Sequence, residues 1–436
     1  MTSTRSARPE RERPVPAVTD TPALARRLGT GDAIVLGLAS MVGAGVFAVF
    51  APAAGAAGWG LFAGLALAAL VAWANATASA QLAAAYPTSG GTYVYGRERL
   101  GEWWGFTAGW GFVVGKTASS AAMALTFAGY ALPGQGWTQR ALAVAAVLAL
   151  GAINYLGVTR TALAARLLVA FTLACLAVVV VAVLLRQPSP AGTPVVDLPG
   201  GPYGVLQSAG LLFFAFAGYA RIATMGEEVR DPRRTIPRAI LAALGIAVVV
   251  YALVGWTLVA ALGPAGLAAS TAPLRDAVLA VGLEPLAPLV QAGAAVASLG
   301  ALLALLAGIG RTALAMARNG DLPRGLAAVH PRFRSPHRAE VVIAALAAAA
   351  AAMLDLRGAI GFSSFGVLVY YAIANLAAFT QSGDDRRWPR ALNVFGVVGC
   401  VVLAATLPWP SVVAGAAALC VGVVARLVRR RPGRAA

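Results

Sequence analysis

The chain has 436 residues, 59% of them hydrophobic and only 12% charged, with a mean hydropathy of +0.76. That balance excludes an ordinary soluble domain and points to a polytopic membrane protein. A net charge of +17 would suggest nucleic acid as the partner of a soluble protein, but here it orients the chain in a bilayer and no nucleic-acid role is expected. The apolar runs are too many and too helix-like for a β-barrel, and each can cross the ~30 Å hydrocarbon layer with ~20 helical residues. Cys175, Cys400 and Cys420 sit singly in apolar runs, so neither a disulfide framework nor a metal cluster is implied.

In chain order, residues 1–28 are rich in arginine and carry Pro9, Pro14, Pro16 and Pro22. They run into the first apolar segment without a small-residue cleavage site, so a retained, disordered cytoplasmic tail is expected. Twelve spans follow at about 31–53, 58–84, 104–132, 140–158, 161–186, 203–224, 238–262, 286–312, 339–355, 358–380, 389–407 and 410–427. With the N-terminus inside, the arginines of 1–28, 97–99, 160, 230–238, 311–338, 386–390 and 426–434 are cytoplasmic. Only Arg140, Arg186, Arg275 and Arg357 fall outside. This asymmetry supports the span count and places both termini in the cytoplasm of a plasma-membrane protein.

The first span contains Gly37-Leu-Ala-Ser-Met-Val-Gly-Ala-Gly-Val-Phe47. Glycines at 37, 43 and 45 are costly in a helix interior, and backbone at membrane depth unwinds only where protein or a watery cavity satisfies it. A broken helix around a binding site is expected, with the amides of Gly43, Ala44 and Gly45 opening a second half whose positive end suits a carboxylate. A second interruption is expected at Leu211-Leu-Phe-Phe-Ala-Phe-Ala-Gly-Tyr-Ala-Arg221, five spans later and therefore in the opposite direction. Close helix packing is the alternative reading of one glycine cluster. Two clusters at matching positions of inverted halves point instead to a transporter's midplane site.

These segments resemble the amino acid, polyamine and organocation (APC) transporter superfamily. So do Tyr86-Pro-Thr-Ser-Gly-Gly-Thr-Tyr-Val-Tyr95, Gly109-Trp110, Asn154-Tyr-Leu-Gly157, Gly226-Glu-Glu-Val-Arg-Asp-Pro-Arg-Arg-Thr-Ile-Pro237 and Met316-Ala-Arg-Asn-Gly-Asp-Leu-Pro323. The resemblance implies an all-α fold of the LeuT type. It comprises a transport core over 29–380 built from inverted five-helix repeats at about 29–187 and 200–380, two peripheral helices at 381–428 and a basic tail at 429–436. It further implies that the amides of Val42 to Gly45 hold a substrate carboxylate and that carbonyls of Ala39 to Met41 and of Phe213, Phe214 and Ala215 take its ammonium. The side chain would face Phe216, Gly218, Tyr219 and the third span. For Phe216 and Tyr219 a place in the core or against lipid is the alternative.

Asp32, Glu227, Glu228 and Asp231 lie toward the cytoplasmic end, where with Arg221 and Arg230 they are expected to form a gating or structural ion network rather than a substrate site. Lys116, near the centre of the third span, is the single lysine of the chain, and a buried charge there is costly unless paired or solvated. Its ammonium is expected to act in ion coupling, meeting carbonyls freed at the first-helix break. The alternative is a packed stem with its head in a cavity. By resemblance, proton-coupled relatives carry a lysine where this chain has Thr172, and sodium-coupled relatives place hydroxyls near Ser298, so H+ and Na+ both stand as coupling ions. No phosphate-cradling motif, cofactor motif or nucleophile with a nearby base appears. A secondary carrier for an amino acid or related carboxylate-bearing metabolite is expected, against the alternatives of an enzyme, a channel or a scaffold.

Overall fold

The computed structural model describes residues 28–87, 90–132, 136–157, 162–186, 198–223 and 229–430. The expected tails lie outside the described residues except for Leu28, Arg429 and Arg430, and Glu227 and Glu228 lie outside them too. Within that set the chain forms α1 (Thr30–Met41), α2 (Ala44–Ala48), α3 (Phe50–Ala57), α4 (Leu61–Ala85), α5 (Thr92–Leu100), α6 (Glu102–Ala131), α7 (Trp137–Tyr155), α8 (Ala162–Leu185) and α9 (Gly201–Phe216). It continues with α10 (Ala220–Ala223), α11 (Pro232–Ala269), α12 (Pro273–Ala280), α13 (Ala287–Arg318), α14 (His337–Met353), α15 (Leu356–Phe379), α16 (Arg390–Thr406) and α17 (Trp409–Arg430). Among the described residues the only strand-like pairing is an isolated bridge between Leu28 and Val229.

Helix is the form these Ala-, Leu- and Val-rich runs must take, because in hydrocarbon each backbone N–H and C=O has to be satisfied within its own segment. Eight helical segments among the described residues are long and apolar enough to cross a membrane, and the chain is an integral membrane protein. The first expected span is divided into α1, α2 and α3, and the sixth into α9 and α10. Two helices had no counterpart among the expected spans, α5 and α12, since one is polar and the other only 8 residues long. Helix α11 turns sharply at Gly263 (φ 65°), directly before Pro264, where a left-handed residue and a missing amide interrupt the ladder together.

The helices pack through small residues, as expected where lipid tails compete equally for apolar side chains. Helices α6 and α15 approach at glycine. A Cβ on Gly366 would stand 2.6 Å from the Gly111 carbonyl and 3.0 Å from Gly115 Cα. Beside this contact the hydroxyls of Ser119 and Ser363 meet at 2.5 Å. Gly366→Val should force α6 and α15 apart at a cost of about 1–3 kcal/mol, seen as a lower thermal unfolding midpoint in detergent. Gly245→Ala, in a helix position with nothing within 4 Å, should raise that midpoint slightly.

Candidate functional site

The two interruptions lie against each other. Helix α1 ends at Met41, Val42 and Gly43 leave the helical region, and α2 begins at Ala44. Helix α9 ends at Phe216, and α10 resumes at Ala220. A side chain on Gly218 would run into the Ser40 carbonyl, and a Cβ on Gly45 would stand 2.9 Å from Ala215 Cα. The glycines therefore let two breaks touch backbone to backbone.

Each break frees carbonyls that an unbroken helix would have paired with an amide four residues on. The Tyr251 hydroxyl, from α11, lies 2.7 Å from the Met41 carbonyl and 2.9 Å from the Ala215 carbonyl. It has one proton to donate, so it serves one break at a time. The Ala217 carbonyl accepts from Lys116 Nζ at 3.3 Å and from the Tyr371 hydroxyl at 3.1 Å. Three helices, α6, α11 and α15, thus send a donor to the same junction. A further tyrosine, Tyr130 of α6, donates to the Phe47 carbonyl at 3.0 Å and accepts from the Leu274 amide at 3.2 Å, tying the end of α2 to α12.

Lys116 therefore meets the break in the sixth span, where the sequence reading had placed it on the first. The reason is direction, since α6 presents position 116 to the loop after α9. Phe213, Phe216 and Tyr219 are all fully buried. Phe213 and Tyr219 pack on Tyr371 with ring centroids 5.8 Å and 5.0 Å away, and Phe216 packs on Tyr251 at 5.0 Å. Phe214 is also buried, and Gly43 meets Ala301 of α13, 2.8 Å from its would-be Cβ.

The other anticipated residues are dispersed. The Thr172 hydroxyl donates to its own helix at Leu168, whereas the buried Ser298 hydroxyl has no hydrogen-bond partner among the described residues. Asp32 pairs with Arg166 of α8 and accepts from the Gly29 amide at 3.1 Å. Arg221 reaches toward Gly308 on α13, and the Arg230 amide donates to the Leu28 carbonyl at 2.9 Å. Tyr251 and Tyr371 were missed by the sequence reading. Their signal was available, because a phenol in the middle of an apolar span needs a partner for its hydroxyl.

A family model described as "Amino acid permease" matches residues 28–424. The chain is 60% identical to an uncharacterized transporter of Mycobacterium tuberculosis, over 93% of this chain and 92% of that one. It is 25% identical to the branched-chain amino acid permease BcaP of Bacillus subtilis, over 94% of each. It is 28% identical to the chloroplastic cationic amino acid transporter 6 of Arabidopsis thaliana, over 89% of this chain and 72% of that one.

Tyr251→Phe should leave the Met41 and Ala215 carbonyls without their donor, at a cost of about 1–3 kcal/mol for buried acceptors left unmade. Thermal unfolding of the purified protein measures it. A midpoint equal to wild type would mean that another group reaches both carbonyls.

Proposed function

The chain belongs to the amino acid permease family, and from that premise we propose that it is a secondary carrier moving an amino acid or related carboxylate-bearing metabolite across the plasma membrane by alternating access. It is a transporter and not an enzyme. The observation that carries the reading is the contact between the two helix interruptions, Gly218 on Ser40 and Gly45 on Ala215. Opposed half-helix ends can hold a zwitterion without a charged side chain. The amides of Val42 to Gly45 suit its carboxylate, and the carbonyls of Met41 and of Phe213 to Ala215 suit its ammonium. The side chain then faces Phe216, Gly218 and Tyr219. The Mycobacterium tuberculosis transporter, identical at 60% of positions, supports transport without naming a cargo.

We infer twelve crossings with both termini cytoplasmic. Beyond the eight segments that meet both length and apolarity, α9 and α16 are shorter apolar helices. Helix α6 has 30 residues interrupted by Lys116, and α14 has 17. Five helices in each half, running in opposite senses, with α16 and α17 peripheral, account for both breaks. The arginine asymmetry supports the orientation, and the pair of Asp32 with Arg166 supports a cytoplasmic ion network in that region.

The cargo is neutral or acidic overall. Two of the relatives are named for branched-chain and for cationic amino acids, so the charge of this site decides. Lys116 stands at the Ala217 carbonyl with no ion-pair partner among the described residues, and a second positive charge beside it would be costly. Lys116 also sets ion coupling, its ammonium standing in for a bound cation or exchanging a proton as the carrier opens and closes. Thr172 and Ser298 are the secondary candidates for that role.

A thermal-shift screen of amino acids and amines tests the cargo, since a ligand at a hundred times its Kd stabilises by about 2.7 kcal/mol. Stabilisation and saturable counterflow in proteoliposomes are expected with a neutral or acidic amino acid. Preference for arginine, lysine or putrescine would refute the charge argument, and flux that never saturates would favour a channel. Replacing Gly43 or Gly45 by leucine should abolish binding. For coupling, wild type, Lys116→Ala and Lys116→Arg are compared for uptake from about pH 5 to 8, with and without sodium. The variants should lose the wild-type dependence, because arginine stays charged and is a larger planar fork. One profile shared by all three would reduce Lys116 to packing.

A further inference from the structure

The motifs Tyr86–Tyr95 and Met316–Pro323 are far apart in sequence and not used by the site above, yet the structure brings them together at one end of the bundle. Asp321, fully buried, pairs with the equally buried Arg426 of α17 at 2.8 Å. Arg426 is held tightly. Its guanidinium carbon lies 4.6 Å from the ring centroids of both Trp103 and Phe106, and its Nη1 donates to the Glu102 carbonyl at 2.8 Å. Arg429, one turn on, donates to the Asp321 carbonyl at 2.8 Å.

The other oxygen of the Asp321 carboxylate is engaged by α5. The Tyr93 hydroxyl donates to it at 2.9 Å and Arg97 pairs with it at 3.4 Å, while Arg97 also reaches Glu102 at 3.0 Å. Burial pushes the Tyr93 phenol up to about 12, so it remains a donor at neutral pH. Residues 93 and 97 share one face of α5 because they are four apart. Tyr95 is turned about 200° from Tyr93 at 100° per residue, and on that opposite face its hydroxyl donates to the Ala223 carbonyl at 3.3 Å. Ala223 is the last residue of α10, the far half of the broken sixth span.

We propose that Asp321 and Arg426 are positioning residues of a latch in which the C-terminal helix α17 fixes α5, and α5 through Tyr95 fixes the movable half-helix α10. The ion pair supplies the fixed end. A buried pair is hard to break singly, since losing one partner strands the other charge, whereas the Tyr95 bond is a single neutral contact at the other end. Helix α10 can therefore leave α5 while α5 stays seated on α6 and α15 and tied to α17 through Asp321. Besides release of α10 from its packing on α1, α4 and α11, opening at the sixth-span break then requires release of the Tyr95 hydrogen bond, and α17 sets how firmly that bond is presented.

Hydrogen–deuterium exchange of the amides of 220–223, on the full chain in lipid nanodiscs, reads the latch without any substrate. Tyr95→Phe should speed exchange there about five-fold, the factor equivalent to one hydrogen bond of about 1 kcal/mol. Asp321→Asn should do the same, and the double variant should be no faster than the faster single, because both act on one contact. Exchange in α12, which contacts α11, α8, α13 and α2, should stay at the wild-type rate. If Asp321→Asn fails to accumulate, Asp321→Asn with Arg426→Met, which leaves no stranded charge, carries the same measurement. Wild-type exchange at 220–223 in a variant lacking the ion pair would reduce the pair to a structural staple, and additive effects would show two independent contacts. Either result overturns the proposal.

Discussion

Carbonyl groups at the centre of a membrane protein cannot be left unpaired, and the structure is arranged around the few that its broken helices release. An acceptor without a donor in that environment costs several kcal/mol. The freed carbonyls of Met41, Ala215 and Ala217 are met by Tyr251, Lys116 and Tyr371, which come from three different helices. Those side chains fix the distances of α6, α11 and α15 from the junction. Because one Tyr251 proton faces two carbonyls, the junction keeps unused acceptor capacity.

The glycines at the breaks have two roles that sequence reading treats as rivals, close packing and exposure of backbone. Gly45 and Gly218 are where one break rests on the other, so the junction is made of backbone. On the proposed reading, packing and binding are one feature. Any side chain that separates the two half-helices also dismantles the surface on which a zwitterion would lie.

Charge is treated differently at the centre and at the end of the bundle. Asp321 and Arg426 are buried and paired with each other, Asp321 also with Tyr93 and Arg97, and Arg426 also stacked on aromatic faces. Asp32 is matched with Arg166. Among the described residues Lys116 donates to a neutral oxygen, the carbonyl of Ala217. A cation at that position makes a second positive charge beside it costly. The family's breadth, from branched-chain to cationic amino acids in the relatives' names, is consistent with selectivity resting on a few such side chains rather than on the fold.

Sequence alone determined that this is a helical membrane protein, where most of its long helices run, and that the first and sixth spans break. Those features follow from local quantities: apolar length against bilayer thickness, arginine placement, and the cost of glycine inside a helix. The motifs around Gly43 and Gly218 likewise marked the family. Sequence could not say which break Lys116 serves, that Tyr251 and Tyr371 cap the freed carbonyls, that Asp32 meets Arg166, or that Asp321 meets Arg426 more than a hundred residues on. Each depends on which faces of distant helices turn toward each other, and in a bundle where almost every face is apolar no periodicity records that choice. Only tertiary packing decided it, by bringing the few polar side chains to the few backbone groups and charges that needed them.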